Sequence, residues 1–467
     1  MTTDPQPVSL VVAPHSELSK SLLSRHVVMI SIGGIIGAGL FVGSSTAIAS
    51  VGPAVIFSYC LAGLVVLIVM RMLSEMAAAT PGLGSFTEYI RLGLGDWAGF
   101  VSGWLYWYFW VVVVAIEAIA GASILSQWIA LPTWQIDLAL MLLLTGVNLL
   151  SSRSYGEFEF WFSSIKVAAI VVFILIAGAY ALGLTSPAGP TFGNLYSHGG
   201  FAPFGWLAVL AGMTSVVFSL CGAEIATIAA VESREPARVV SRMTVSISAR
   251  ILLFYALSIA LIVAVVPWQE IKSGDSPFAI ALSYTHIPSV ATIMNVIVLV
   301  AVLSCLNSGL YVTSRVLFTL AAKGDAPQAM IALSARRVPA RAILIGTSFG
   351  YFAVLLSIFS PGVVFAFLVS ASGALMIVIY LLACFAHLKL RRQIERSAPE
   401  RLKIKVWLFP WLSWATIAAM LGVLFAMALT PALKSQFYAS LACVVVVAIA
   451  YALRRRRLAM AEPNARP

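Results

Sequence analysis

Apolar residues fill this chain in long blocks, and short polar or charged stretches separate one block from the next. Each block approaches the ~20 residues that a helix needs to cross the ~30 Å hydrocarbon core of a bilayer. Boundaries set by charge, proline and glycine clusters predict twelve spans, at 27–49, 54–79, 97–125, 136–150, 160–184, 204–230, 247–266, 288–319, 341–359, 363–388, 408–430 and 436–453. The fourth is short, and the third and eighth are long enough to tilt or protrude. The pattern therefore predicts an all-α integral membrane protein of about twelve transmembrane helices. Residues 1–26 form a polar tail containing Pro5, Pro7 and Pro14, with no apolar core that would mark a cleavable signal peptide.

Composition narrows the class further. Hydrophobic residues make up 61% of the 467 and charged residues only 10%, with a mean hydropathy of +0.99. A soluble domain carries roughly 25% charged residues, so a soluble fold of this length is excluded. The net charge of +11 would point to nucleic acid in a soluble protein. Here the positive residues lie between apolar blocks, and the membrane accounts for them without a nucleic-acid partner. The five cysteines (Cys60, Cys221, Cys305, Cys384, Cys443) all fall in apolar blocks with no CxxC pair, so buried thiols are expected rather than disulfides or a metal cluster.

Charge also predicts orientation. With the N-terminus in the cytoplasm, 26 of the 29 Lys and Arg residues fall on cytoplasmic segments or toward the cytoplasmic ends of spans; Lys272 and Lys434 fall outside, and Lys166 lies deeper within a span. Such asymmetry is the positive-inside rule at work, and it places both termini in the cytoplasm. The run Arg454–Arg457 reads as the inner-leaflet anchor of the last helix, in preference to a lipid- or nucleic-acid-binding patch.

Two spans are interrupted. The first contains Gly33-Gly34-Ile35-Ile36-Gly37-Ala38-Gly39, and a glycine in a helix interior costs about 1 kcal/mol relative to alanine. The sixth contains Ser219-Leu220-Cys221-Gly222-Ala223-Glu224, a polar break in an apolar run. Backbone groups freed at a break cannot face lipid. Gly33 and Gly37 also match the GxxxG pattern of close helix packing. A second break five spans later favours a binding site, because paired interruptions mark the substrate site of transporters built from repeats. The repeats would be 27–184 and 204–388, followed by a basic loop at 389–407, two extra spans within 408–453 and a tail at 454–467. Half-helix N-termini suit a carboxylate and unwound carbonyls suit an ammonium, so a site with both selects a zwitterion.

Ionisable residues inside spans are costly and point to function by default. Glu224 follows the second break and is a candidate proton acceptor or gate, or else caps the broken helix. Glu117 lies in span three on the face of Trp110 and Gly103, at intervals of seven, and either takes part in coupling or bonds between helices. Lys166 either snorkels to the surface or bridges spans in place of a bound cation. Span eight carries Ser304, Asn307, Ser308, Tyr311 and Ser314, and span ten carries Ser370, Ser372 and Gly373; both patches line a pathway or join helices.

These residues resemble a known family. The stretches SRHVVMISIGGIIGAGLFVGSS (24–45), RMLSEMAAATP (71–81), GWLYWYFW (103–110), YGEFEFW (155–161), GAEIATIAAVES (222–233), SCLNSGLYVTSR (304–315) and FPWLSW (409–414) are similar to the amino acid–polyamine–organocation superfamily. Within it they look most like the bacterial amino acid transporters, and in particular the γ-aminobutyrate (GABA) permeases. The resemblance implies an inverted five-plus-five repeat, alternating access and proton-driven uptake at the bacterial cytoplasmic membrane. It would place the backbone of Ile36, Gly37, Ala38 and Gly39 on a substrate carboxylate and the carbonyls of Phe218, Ser219 and Cys221 on the amino group. Lys166 would stand where sodium-driven relatives bind their ion, and Glu117 and Glu224 would match the family's glutamates of the third and sixth helices. GABA permeases carry Ser where this chain has Gly39, a departure that leaves room for another amino acid.

The expected activity is proton symport of an amino acid, with GABA as first substrate. The alternative is import or exchange of an α-amino acid, and a non-transporting membrane sensor is more distant. No enzyme, metal or cofactor is expected, since the five histidines (His15, His26, His198, His286, His387) are dispersed. The expected partners are the zwitterionic substrate, a proton and membrane lipid.

Overall fold

A computed structural model describes residues 35–80, 83, 85–150, 155–186, 189–222, 224–225, 252–334 and 338–461. Among these every regular element is helical. Seven stretches are long and apolar enough to cross a membrane: Ala38–Ala79, Asp96–Leu125, Phe160–Ala181, Val290–Ala322, Pro361–Ser397, Trp411–Leu429 and Pro431–Arg457. Four shorter apolar helices join them, at Thr133–Leu149, Gly205–Leu220, Leu252–Val265 and Ala340–Leu356. Gly33, Gly34 and the basic stretch containing Arg234, Arg238, Arg242 and Arg250 lie outside the described residues.

In chain order the helices are α1 (Ala38–Phe41), α2 (Gly43–Val51), α3 (Val55–Ala79), α4 (Phe86–Leu94), α5 (Asp96–Leu125), α6 (Thr133–Leu150), α7 (Tyr155–Ala181), α8 (Gly205–Leu220), α9 (Leu252–Val265), α10 (Pro277–Ser283), α11 (Val290–Ala322), α12 (Ala340–Ser357), α13 (Pro361–Ser397), α14 (Trp411–Leu429) and α15 (Lys434–Ala461). Large apolar side chains such as Leu143, Leu175, Phe352 and Val446 stand exposed, because lipid rather than water is their solvent. The thiols are free; Cys221, Cys305 and Cys384 are buried, whereas Cys60 is exposed.

The centre is α5, α8, α11 and α13. α5 packs along α11, and α13 lies against α8, α4 and α5. The crossing of α13 over α8 is a backbone contact: a Cβ on Gly373 would lie 1.7 Å from the Thr214 carbonyl oxygen. Small residues permit such approach where no hydrophobic drive joins helices in lipid.

α4 and α13 depart from the pattern of twenty apolar residues. α4 starts at Ser85, whose hydroxyl accepts from the Thr87 N–H at 3.4 Å, and it stops at Gly95, where φ is +98°. Only glycine adopts that backbone readily, so α4 turns directly into α5. α13 continues to Ser397, into the stretch expected as loop, because Arg391 is drawn inward. Its guanidinium donates to Glu75 at 2.6 Å, and the Val406 N–H donates to the other Glu75 oxygen at 2.6 Å.

A second charged cluster joins α4, α5, α11 and α15. Arg91 bonds Asp96 and Asp325, Lys323 pairs with Glu88 at 3.0 Å, and Arg454 pairs with Asp325 at 3.0 Å. Burial pushes the Asp325 carboxyl up, while the Arg91 and Arg454 guanidiniums pull it the other way. Arg454, expected only as a membrane anchor, is thus also an interhelical contact.

Candidate functional site

The two interruptions meet. α1 is one turn long, with Gly37 at its start in extended backbone, and the helix resumes as α2 after Val42. α8 ends at Leu220, and Gly222 follows with φ +118°, a backbone that favours glycine. A Cβ on Gly39 would come within 2.7 Å of the Ser219 Cα and 3.3 Å of the Phe218 ring. The first break therefore touches the second at the residues expected to form one site, and a side chain at position 39 would separate them.

Each break is held by a buried carboxylate. The Ala38 N–H donates to both Glu117 oxygens at 3.0 Å. A Cβ on Gly37 would fall 2.6 Å from Glu117 Oε1 and 2.6 Å from Cys305 Sγ, so α1, α5 and α11 converge there. The Tyr255 hydroxyl donates to the Ile35 carbonyl at 3.0 Å, just before the break. At the other break, the Gly222 N–H donates to both Glu224 oxygens at 3.1 Å. The Tyr380 hydroxyl donates to Glu224 at 3.2 Å and the Tyr106 hydroxyl at 3.4 Å. Both carboxylates are buried, and hydrogen bonds to charged groups offset that cost better than neutral ones do.

Lys166 is fully buried and its ammonium donates to Ser304 at 2.9 Å, so it bridges α7 and α11 instead of snorkelling. It also acts electrostatically on Glu117, the carboxylate that holds the first break. Ser308 is buried on the same helix as Ser304. Asn307 turns elsewhere: its carbonyl accepts from Asn148 of α6 at 2.7 Å. The face of α5 anticipated from its spacing of seven does run along α11, since Gly103 meets Leu320, Trp110 meets Gly309 and Glu117 meets Cys305. In span ten, Ser370 bonds Ser215 at 3.3 Å.

Four groups at the breaks were not singled out from the sequence: Tyr106, Tyr255, Tyr380 and Cys305. A tyrosine inside a span must place its hydroxyl on a partner, so mid-span tyrosines were the available signal. Tyr59, close to Ser219 at 3.5 Å, belongs with them.

Lys166→Ala is expected to lower transport by about tenfold while membrane abundance changes little, because Glu117 loses the cation that faces it. Parallel uptake and immunoblot measurements check this. Equal losses in both would make Lys166 a structural lysine.

A helical, multi-pass membrane protein whose interrupted helices meet at buried carboxylates is the class that fold and site define. The sequence pattern of the amino acid permease family matches residues 26–461, and the chain belongs to that family. It is 47% identical over 454 residues to the γ-aminobutyric acid permease of Bacillus subtilis, covering 97% of each chain. It is 44% identical to the γ-aminobutyric acid permease of Escherichia coli, covering 90% of each. An aromatic amino acid transport protein of Corynebacterium glutamicum is 37% identical, over 90% of this chain and 92% of that one. The family carries amino acids across membranes, as the resemblance implied.

Proposed function

We propose that this permease imports γ-aminobutyrate together with a proton, by alternating access about the two breaks. The similarity to two γ-aminobutyric acid permeases along nearly the whole chain carries the substrate reading. In this reading twelve spans cross the bacterial cytoplasmic membrane with both termini inside. Residues 27–184 and 204–388 form inverted repeats, as paired broken helices do in other transporters.

The substrate carboxylate sits at the N–H groups of Ile36, Gly37, Ala38 and Gly39. The Ala38 N–H is held by Glu117 in the described conformation, so the arriving carboxylate takes over a donor and releases Glu117 toward Lys166. The amino group sits at the carbonyls of Phe218, Ser219 and Cys221, where α8 ends; the Phe218 carbonyl already accepts from the Cys221 N–H at 3.2 Å and would take the substrate as a second donor. Lys166 occupies the place of a bound cation, which removes a need for sodium. Glu224 takes up and releases the proton, and Ser304 and Ser308 lie along the pathway, whereas Asn307, expected there too, spends its carbonyl on Asn148.

Gly39 supports a second reading, import or exchange of an α-amino acid, since the contact with Ser219 leaves no room for the serine of GABA permeases without a shift. Uptake of labelled γ-aminobutyrate into proteoliposomes, competed by a panel of unlabelled amino acids, separates the two. Competition by γ-aminobutyrate alone is the expected result. Displacement by an α-amino acid at lower concentration would replace the substrate and keep the site.

A further inference from the structure

The last turns of α13 carry two chemistries on two faces. The inward face spends Arg391 on Glu75 at 2.6 Å and on Glu395 at 2.7 Å. The outward face presents Phe385, Lys389, Arg392 and Arg396 at steps of four, three and four, one stripe of a helix. This stripe forms one side of a groove of about 900 Å³, and Trp97 of α5 and Trp414 of α14 stand on its other sides. The volume lies in the range of ordinary ligand sites. Phe385 is 37% exposed and both tryptophans are 45% exposed, so the groove is open to whatever surrounds the protein there. The Phe385 and Trp414 rings meet edge-on at 6.2 Å and make a preformed apolar floor.

Charge points to the occupant. Among the described residues, Lys389, Arg392 and Arg396 have no carboxylate partner, and Glu395 on the same turns is taken by Arg391. Along the stripe the chemistry passes from aromatic to basic, with the three cations spread over about 10 Å of helix axis. A phospholipid changes in the same order, from acyl chain to phosphate. Tryptophans at headgroup level are the usual markers of that depth. A water-soluble anion would have no use for the aromatic floor, and a neutral lipid none for three unpaired cations.

We propose that this groove binds one anionic phospholipid, with its phosphate on Lys389, Arg392 and Arg396 and its acyl chains against Phe385, Trp97 and Trp414. The site is separate from the broken helices and does not depend on what they transport. The proposed topology enters only in assigning the groove to the inner leaflet. Bound there, the lipid joins α5, α13 and α14 at the end where Glu75 and Arg391 fasten the segment after α13.

The test uses the full chain in phosphatidylcholine nanodiscs containing a small fraction of phosphatidylglycerol with a photoreactive acyl chain. Cross-linked peptides are expected to map to Trp97, to 382–397 and to 411–414. Unlabelled phosphatidylglycerol should compete, and phosphatidylcholine and inorganic phosphate should not. The triple variant K389Q/R392Q/R396Q should lose labelling at these peptides by about fivefold for each charge removed. The control R455Q/R456Q/R457Q, three exposed cations at the end of α15, should keep it. Label spread evenly over α12 and α15, competition by inorganic phosphate or phosphatidylcholine, or full labelling of the triple variant would each overturn the site. Should the triple variant fail to accumulate, the wild-type map and its competition decide alone.

Discussion

Glu224→Gln is expected to abolish pH-dependent uptake while the protein still inserts and accumulates. The side chain is fully buried and receives the Gly222 N–H and the hydroxyls of Tyr106 and Tyr380. Glutamine keeps the size and one acceptor oxygen but can neither gain nor lose a proton. Loss of a positioned proton acceptor costs about a hundredfold or more in enzymes, and a loss of that scale is expected in gradient-driven uptake. Counterflow exchange at equal pH, which needs no net proton movement, should suffer less. Uptake of wild-type magnitude and pH profile would remove Glu224 from the mechanism and leave it as a cap of the broken helix.

Gly373→Val is expected to have the largest effect on stability. The added Cβ would meet a backbone carbonyl oxygen at 1.7 Å, and backbone cannot rotate away as a side chain can. Overpacking typically costs 1–3 kcal/mol, and separating two helices at their closest point puts this substitution at roughly the upper end or beyond. Thermal unfolding in detergent should shift far downward, or the protein should fail to accumulate. A stable, active valine variant would mean that α13 does not cross α8 at backbone distance.

Much of this architecture was legible in the chain. Twenty-residue apolar blocks mark helices by length alone, and the glycines at 37 and 39 and the run Ser219–Glu224 marked the two places where a helix could not continue. The structure brings those places into contact, which no local pattern could state. α4 escaped because nine residues with alternating polar character fall below any membrane-length window; its signals were Ser85 and Gly95. Lys166 had two readings, and what decided between them was Ser304, distant in sequence and 2.9 Å away in space. Asn307 shares a helix with Ser304 and Ser308, yet its partner is Asn148, so spacing on one helix did not reveal which neighbour each residue faces. Tyrosine counts as one more aromatic in an apolar run until its hydroxyl finds a carboxylate, as Tyr106 and Tyr380 do. Arg391 read as loop charge until Glu75 was seen to draw it inward.

In the proposed mechanism substrate and proton cross together through the site between the breaks. The most direct measurement is proton flux into sodium-free proteoliposomes that enclose a pH-sensitive dye, started by adding γ-aminobutyrate outside. Proton symport predicts acidification of the lumen on addition, in wild type and not in Glu224→Gln; under an imposed inward proton gradient, labelled substrate should accumulate until an uncoupler releases it. Accumulation of γ-aminobutyrate with no change in luminal pH, or acidification undiminished in Glu224→Gln, would contradict it.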